Sequence, residues 1–200
     1  MSTFRRLSHT AQRLYQRVFQ RQADVQTRSV INTLAEVGPF AECTRSTLFD
    51  VAEAMHHRTY RRNEYLYHEN DPGLGLFVIE KGRVQLTAEG QQDATYTLSQ
   101  LGPYAMFGTL SLLGDFRRME TAQALTETKV LGFFRPDLKN LAKRNPRVGT
   151  EVLGALARHV AQQHVDMINL LSERVGRSTA LHTFAEVTAQ SSDAASIPQP

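Results

Sequence analysis

Within residues 107–124 a glycine, Gly108, opens the short apolar run Thr109 to Leu113. The pair Arg117-Arg118 then precedes a Thr- and Ala-rich segment. These residue types in this order suit a small anion. A glycine lets backbone come close to a ligand. The free N–H groups at a helix start point at negative charge. An arginine adds a planar fork of donors that matches two phosphate oxygens.

Other reactive residue types do not assemble into a site. His56-His57 and His68-Glu69 lie near predicted strands, where a barrel-borne metal would be held by His-x-His with a downstream Glu and a further His. That spacing is absent, so each His is read as a surface or locally satisfied residue. Haem ligation has no better support. No nucleophile–base set can be built, and cyclase, phosphodiesterase and kinase signatures are missing. The chain is therefore expected to be no enzyme and to carry no metal or cofactor. Cys43 is the single cysteine of the 200 residues. It excludes an internal disulfide framework and a cysteine-ligated iron–sulfur cluster. It reads as a small buried residue at the start of a helix.

The chain length suits one domain with extensions. The net charge of +3 is unevenly spread: residues 1–30 hold six arginines against Asp24, a net +5 that leaves −2 for the remainder. Phe4, Leu7, Ala11, Leu14, Val18 and Val25 form a narrow apolar seam along this basic segment, interrupted by Arg21. Its arginines could face solvent while the seam packs within the chain or on a dimer mate, or they could meet an acidic protein, nucleic acid or an anionic membrane. It lacks the apolar centre of a signal peptide. No stretch approaches the ~20 apolar residues of a membrane span. A cytoplasmic, soluble protein is expected.

A helix is predicted over about 46–56, capped by Thr44 or Ser46, with Leu48, Val51, Ala52 and Met55 inward. Before it, Gly38-Pro39 breaks an earlier helix. Strands are predicted over 76–80, 83–88, 94–98 and 128–134, separated by turns at 70–73, 81–82 and 89–90. Arg135-Pro136-Asp137 opens a short helix and Pro146 a long one to about 175. One more short helix fits 178–188.

This order of elements, with the 107–124 stretch, resembles the cyclic-nucleotide-binding domain of bacterial catabolite-activator-like regulators and kinase regulatory subunits. That family's phosphate cassette reads Phe-Gly-Glu-Leu-Ala-Leu, a variable turn, then Pro-Arg-Ala-Ala-Thr. Leu34 to Phe40 resembles the family's opening. Glu69 to Gly73 with Leu76 to Ile79 and Gly82 resembles its Glu-Gly-Asp and following strand. Arg135 to Leu138 with Asn145-Pro146 resembles the helix that closes its barrel. The resemblance spans residues 34–175, about 140 of the 200. It implies an α+β fold, an antiparallel jelly-roll-like β-barrel flanked by an N-terminal helix and a long C-terminal helix. Taken with the charge and composition of the two ends, the expected organisation is a basic helix over 1–33, the barrel over 34–146, C-terminal helices for dimerisation and lid over 147–189, and a disordered tail over 190–200.

The resemblance implies that Arg118 grips a cyclic phosphate. Gly108 and the N–H groups of Thr109 and Leu110 would line the same side, with the Phe107 and Leu110 side chains in the core. Two positions depart from the pattern. Thr109 stands where the family has a ribose-binding Glu, which removes a charge-assisted hydrogen bond worth about 1.5–3 kcal/mol. Glu120 stands where the family prefers Ala. If 118–120 is strand, Glu120 and Arg118 share a face. The carboxylate then either pairs with Arg118 against a phosphate or accepts a ribose hydroxyl, with Thr121 beside it. At a bulge it would instead turn outward to Arg117. Met119 lacks the hydroxyl of members that favour cyclic GMP.

The implied function is a non-catalytic bacterial signalling module. It would sense a cyclic nucleotide, cyclic AMP ahead of cyclic GMP or cyclic di-GMP, and relay it through the flanking helices to a partner protein. A ligand-free dimerisation scaffold is the competing reading. A homodimer is expected through the seam Leu153, Leu156, Val160, Met167 and Leu171. DNA binding is not, because the 25 residues after Val175 are too few for a winged helix-turn-helix.

Overall fold

The computed structural model describes residues 25–90 and 94–194. The apolar run Leu76 to Ile79 sits at the centre of the fold because both of its faces are covered. In β3 (Gly75–Lys81), Leu76 and Val78 pack on helices, while Phe77 and Ile79 pack on a second sheet. β8 (Thr128–Phe134) divides its side chains in the same way, with Leu131 and Phe133 toward the helices and Val130 toward the other sheet. A strand buried on both faces reads as a continuous apolar run, not as an alternation.

Among the described residues, eight strands form two four-stranded antiparallel sheets. The first pairs β1 (His56–Tyr60), β8, β3 and β6 (Met106–Phe107) in that order; the second pairs β2 (Tyr65–Tyr67), β7 (Thr121–Ala124), β4 (Val84–Glu89) and β5 (Thr95–Leu101). The expected α+β jelly-roll-like fold is thus observed: the four predicted strands correspond to β3, β4, β5 and β8, and the Thr- and Ala-rich segment after Arg117-Arg118 forms β7. β1, β2 and β6 escaped the pattern: β1 is largely exposed, and the other two are only three and two residues long. Gly82 makes the β3–β4 turn at φ +97°, where an added Cβ would meet Thr128.

The helical layer follows the predicted order. α1 covers 25–35 among the described residues, and α2 (Gly38–Ala41) is a single turn opened by Pro39. α3 (Arg45–Ala54) is capped by Thr44 and not Ser46, with Oγ1 of Thr44 accepting from the N–H of Thr47 at 3.4 Å. α4 (Thr109–Leu113) follows β6, and α5 (Arg135–Arg144) follows β8 directly. In α5, Asp137 Oδ2 accepts from the N–H of Phe134 at 3.2 Å. α6 (Pro146–Val175) begins where Asn145 Oδ1 accepts from the N–H of Val148. Cys43 is buried just before α3, as expected. The basic seam from Phe4 to Val18 lies outside the described residues.

The chain forms two compact units, the first ending at Leu156 and the second starting at Ala157. In the second, α6 turns at Gly176 into α7 (Arg177–Ala194), and His164 meets Phe184 edge-on at 5.4 Å between centroids. α7 is longer than the expected 178–188. It carries residues 190–194 of the tail expected to be disordered, and 195–200 lie outside the described residues.

The carboxylate of Glu151 on α6 ties this helix to the start of α3. It accepts from the Thr47 hydroxyl at 2.6 Å and from the backbone N–H of Thr44. The Thr47 hydroxyl first, and the Thr44 N–H second, hold the Glu151 carboxyl below its usual range. A lowered carboxylate pKa adds stability above the ordinary value of 4.5, and that stability is lost as pH falls through the folded value. Glu151→Ala is expected to cost about 0.5–1 kcal/mol, a cap contribution reduced by solvent screening. In thermal melts at pH 7 this appears as a lower Tm. The difference from the parent should shrink by pH 3, and a difference independent of pH would contradict the assignment.

Candidate functional site

Arg118 is placed by backbone before its side chain is considered. It stands in the loop between α4 and β7, which lies antiparallel to the turn after β2. The N–H of Asn70 donates to the Arg118 carbonyl at 2.8 Å, and the N–H of Arg118 donates to the Asp71 carbonyl at 2.9 Å. Pro72 bridges to Arg117, and the N–H of Gly73 donates to the Phe116 carbonyl at 3.2 Å. Asn70 turns the chain at φ +67°, a conformation Asn tolerates better than most residues. The clamp sends the Arg118 side chain inward, where it is only 5% exposed. It is the one buried charged side chain among the described residues.

Aromatic rings receive the guanidinium. Arg118 Cζ lies 4.1 Å from the Tyr67 ring centroid and 5.6 Å from that of Phe77. Phe77 and Phe107 stack behind, 5.6 Å apart. Cation–π contact over a desolvated ring is worth up to about 2 kcal/mol, so it offsets part of the burial cost. Arg118 Nη2 donates to the Gly75 carbonyl at 2.8 Å. Nε and Nη1 are buried without a partner among the described residues. Burial lowers the Arg118 pKa from its ordinary value, and Tyr67, Glu120 and Asp71 act in the opposite sense. A guanidinium stays charged through such shifts.

Gly108 and Arg118, read from sequence as two parts of one anion site, meet here. Gly108 precedes α4 at φ +75°, and a Cβ on it would lie 2.2 Å from Arg118 Nη1 and 3.1 Å from the Gly75 carbonyl oxygen. Thr109 begins α4 and is buried. Leu110 follows it, but its side chain is 40% exposed and not part of the core, because the inward face of α4 is taken by Thr109, Ser111 and Leu112. Phe107 is core, as expected.

Neither placement considered for an Arg-paired Glu120 is observed. Residues 118–120 precede β7 and are not strand, so the shared-face rule does not apply to them. Glu120 Oε1 accepts from the Tyr67 hydroxyl at 2.6 Å, and Arg117 Nη1 donates to the Asn70 carbonyl instead. Among the described residues Glu120 forms no ion pair with Arg118. Burial first, and then the Glu120 carboxylate, hold the Tyr67 phenol above its ordinary range, so it remains a donor. Thr121 uses its hydroxyl structurally, accepting from the N–H of Glu69 at 2.9 Å. Tyr67, Phe77 and the Gly75 carbonyl were missed in sequence. Aromatic residues on short strands read simply as core, and nothing local shows that Tyr67 meets a residue 51 positions away.

The histidines do not converge. His56 Nε2 lies 3.0 Å from Asp137, His57 Nδ1 lies 3.2 Å from Glu80, and His68 packs on the Tyr65 ring. No metal-holding cluster occurs among the described residues, and none of their helices is long and apolar enough to cross a membrane.

The profile of the family described as "Cyclic nucleotide-binding domain" matches residues 57–145. The cyclic AMP receptor protein of Thermus thermophilus is 29% identical over 133 residues, 66% of this chain and 61% of its own length. A CRP-like cAMP-activated global transcriptional regulator of Mycobacterium tuberculosis is 24% identical over 69% of this chain and 62% of its length. The chain thus spans about three fifths of these curated relatives. Among solved structures, the N-terminal domain of a transcriptional regulator from Streptomyces coelicolor A3(2) is 31% identical. It aligns over 68% of this chain and 94% of that one, with a TM-score of 0.62.

Gly108→Ala tests the contact between the two halves of the site. A Cβ at positive φ costs about 1–2 kcal/mol, and the clash must also displace the Arg118 fork. Chemical denaturation should show a loss of this order. A variant as stable as the parent would mean that the fork does not rest on Gly108.

Proposed function

Because the chain belongs to the cyclic-nucleotide-binding domain family, we propose that its pocket of Gly108, Thr109, Leu110 and Arg118 binds a cyclic nucleotide. The observation that carries this reading is the pair of unmet donors on a buried guanidinium, Nε and Nη1 of Arg118. Each unsatisfied buried donor costs about 1–3 kcal/mol, more when charged, and a phosphate oxygen removes that cost for each. Cyclic AMP is the first candidate: relatives are named for it, and Met119 offers no hydroxyl for a guanine base.

The module acts without catalysis, in the cytoplasm, by conformational relay. Ligand arrival shifts the balance between two arrangements of the flanking helices for which it has different affinity, and a partner protein reads the change. Pairing of two chains through α6 is supported by an apolar face left uncovered in one chain, with Leu153 and Leu170 exposed and Met167 at 59%. Nothing described requires DNA.

Isothermal titration with cyclic AMP, cyclic GMP and cyclic di-GMP tests the pocket. Binding of cyclic AMP is expected, and Arg118→Ala should weaken it at least about tenfold, or 1.4 kcal/mol. Folded protein that binds none of the three would leave the scaffold reading. Sedimentation should report two chains, and Met167→Glu should shift the population toward one. A parent that sediments as a single chain would refute the pairing.

A further inference from the structure

Resting on the phosphate reading of this pocket, we propose that Glu120, held in place by Tyr67, makes it selective for singly charged phosphodiesters over doubly charged phosphomonoesters. Tyr67 links the two charges. Its ring supports the Arg118 guanidinium at 4.1 Å, and its hydroxyl donates to Glu120 Oε1 at 2.6 Å. A fixed carboxylate therefore stands one aromatic ring away from the only buried cation among the described residues. Asp71, whose carbonyl accepts from the N–H of Arg118, adds a second negative group that acts on the same guanidinium.

The charge count limits the occupant. The guanidinium offers unpartnered N–H groups on Nε and on Nη1, at different edges of its plane, and a single positive charge to balance a phosphate. Arg117, the neighbouring cation, directs Nη1 to the Asn70 carbonyl at 2.6 Å and is exposed. A cyclic phosphodiester brings one negative charge and is balanced by Arg118. A phosphomonoester brings nearly two at neutral pH, and the second meets only carboxylates. Repulsion from Glu120 grows in proportion to ligand charge, so its effect on a dianion's affinity is about the square of its effect on a monoanion's. Because Glu120 does not touch Arg118, it discriminates without occupying the donors.

Cyclic AMP and 5′-AMP share base and ribose and differ in the charge and closure of the phosphate. Titration at pH 7.5 with parent protein and with Glu120→Gln, which keeps an acceptor for the Tyr67 hydroxyl, separates charge from shape. The variant is expected to bind cyclic AMP about threefold more tightly and 5′-AMP about tenfold more tightly, narrowing the selectivity about threefold. If Glu120→Gln does not fold, Tyr67→Phe keeps the ring beneath Arg118 and releases the carboxylate, and it carries the same expected narrowing. Equal factors for both ligands, or no change, would overturn this inference while leaving an Arg118-dependent cyclic nucleotide site intact. Absence of cyclic AMP binding to the parent would overturn the phosphate reading and this inference together.

Discussion

A buried guanidinium with two unmet donors is the constraint around which this barrel is arranged. Removing an arginine from water is tolerable only where the surroundings replace hydration. Here the replacement is divided between the two sheets. Tyr67 comes from β2 in one, and Phe77 and the Gly75 carbonyl come from β3 in the other. Arg118 itself comes from a loop held by the Asn70–Gly73 turn. No single element could build this environment, so the position of Arg118 depends on the sheets being packed together. Conversely, whatever engages Nε and Nη1 acts on groups from both sheets at once.

That dependence explains what could be read in the chain. The long β3 run, a cap at Thr44 or Ser46, the prolines at 136 and 146, and the Gly108–Arg118 pairing were all legible. Each is a local signal: an apolar run, a cap, a missing N–H, a glycine and a cation around a short helix. The aromatic shelf was not legible. Tyr67 and Arg118 meet only because β2 pairs with β7 and the turn after β2 clamps the loop before β7. A two-residue strand such as β6 carries too few side chains to show a period. Leu110 was misread for a related reason: five residues are too few to show which face of a helix turns inward, and in α4 it is Thr109, Ser111 and Leu112.

The C-terminal helices show the same limit from the opposite side. The positions Leu153, Leu156, Val160, Met167 and Leu171 were read as one seam, yet burial along α6 is uneven. Val152, Ala155 and Leu156 are enclosed in the first unit. Further on, Met167, Ile168 and Leu171 line an apolar groove with Ala180, Phe184 and Val187 of α7. Periodicity reports that a face is apolar, but not which neighbour covers each turn. Residues 190–194, polar and small in type, continue α7 although no apolar pattern marks them as helix.

Glu120 is the position where local and global readings diverge most, and its placement bears on the departure at Thr109. A carboxylate in direct contact with Arg118 would satisfy its donors and close the site. With no carboxylate nearby, the buried cation would be less well compensated in the empty protein. Attachment through Tyr67 avoids both outcomes. The phenol passes a hydrogen bond to Glu120 at one end and supports the guanidinium with its face at the other. Negative charge then offsets the burial of Arg118 while Nε and Nη1 remain open. Thr109, buried at the start of α4, brings no charge of its own to this balance. The two departures from the family pattern therefore amount to one physical change. Thr109 leaves the helix start without a carboxylate, whereas Glu120 places one behind the Tyr67 ring, away from the arginine's donors.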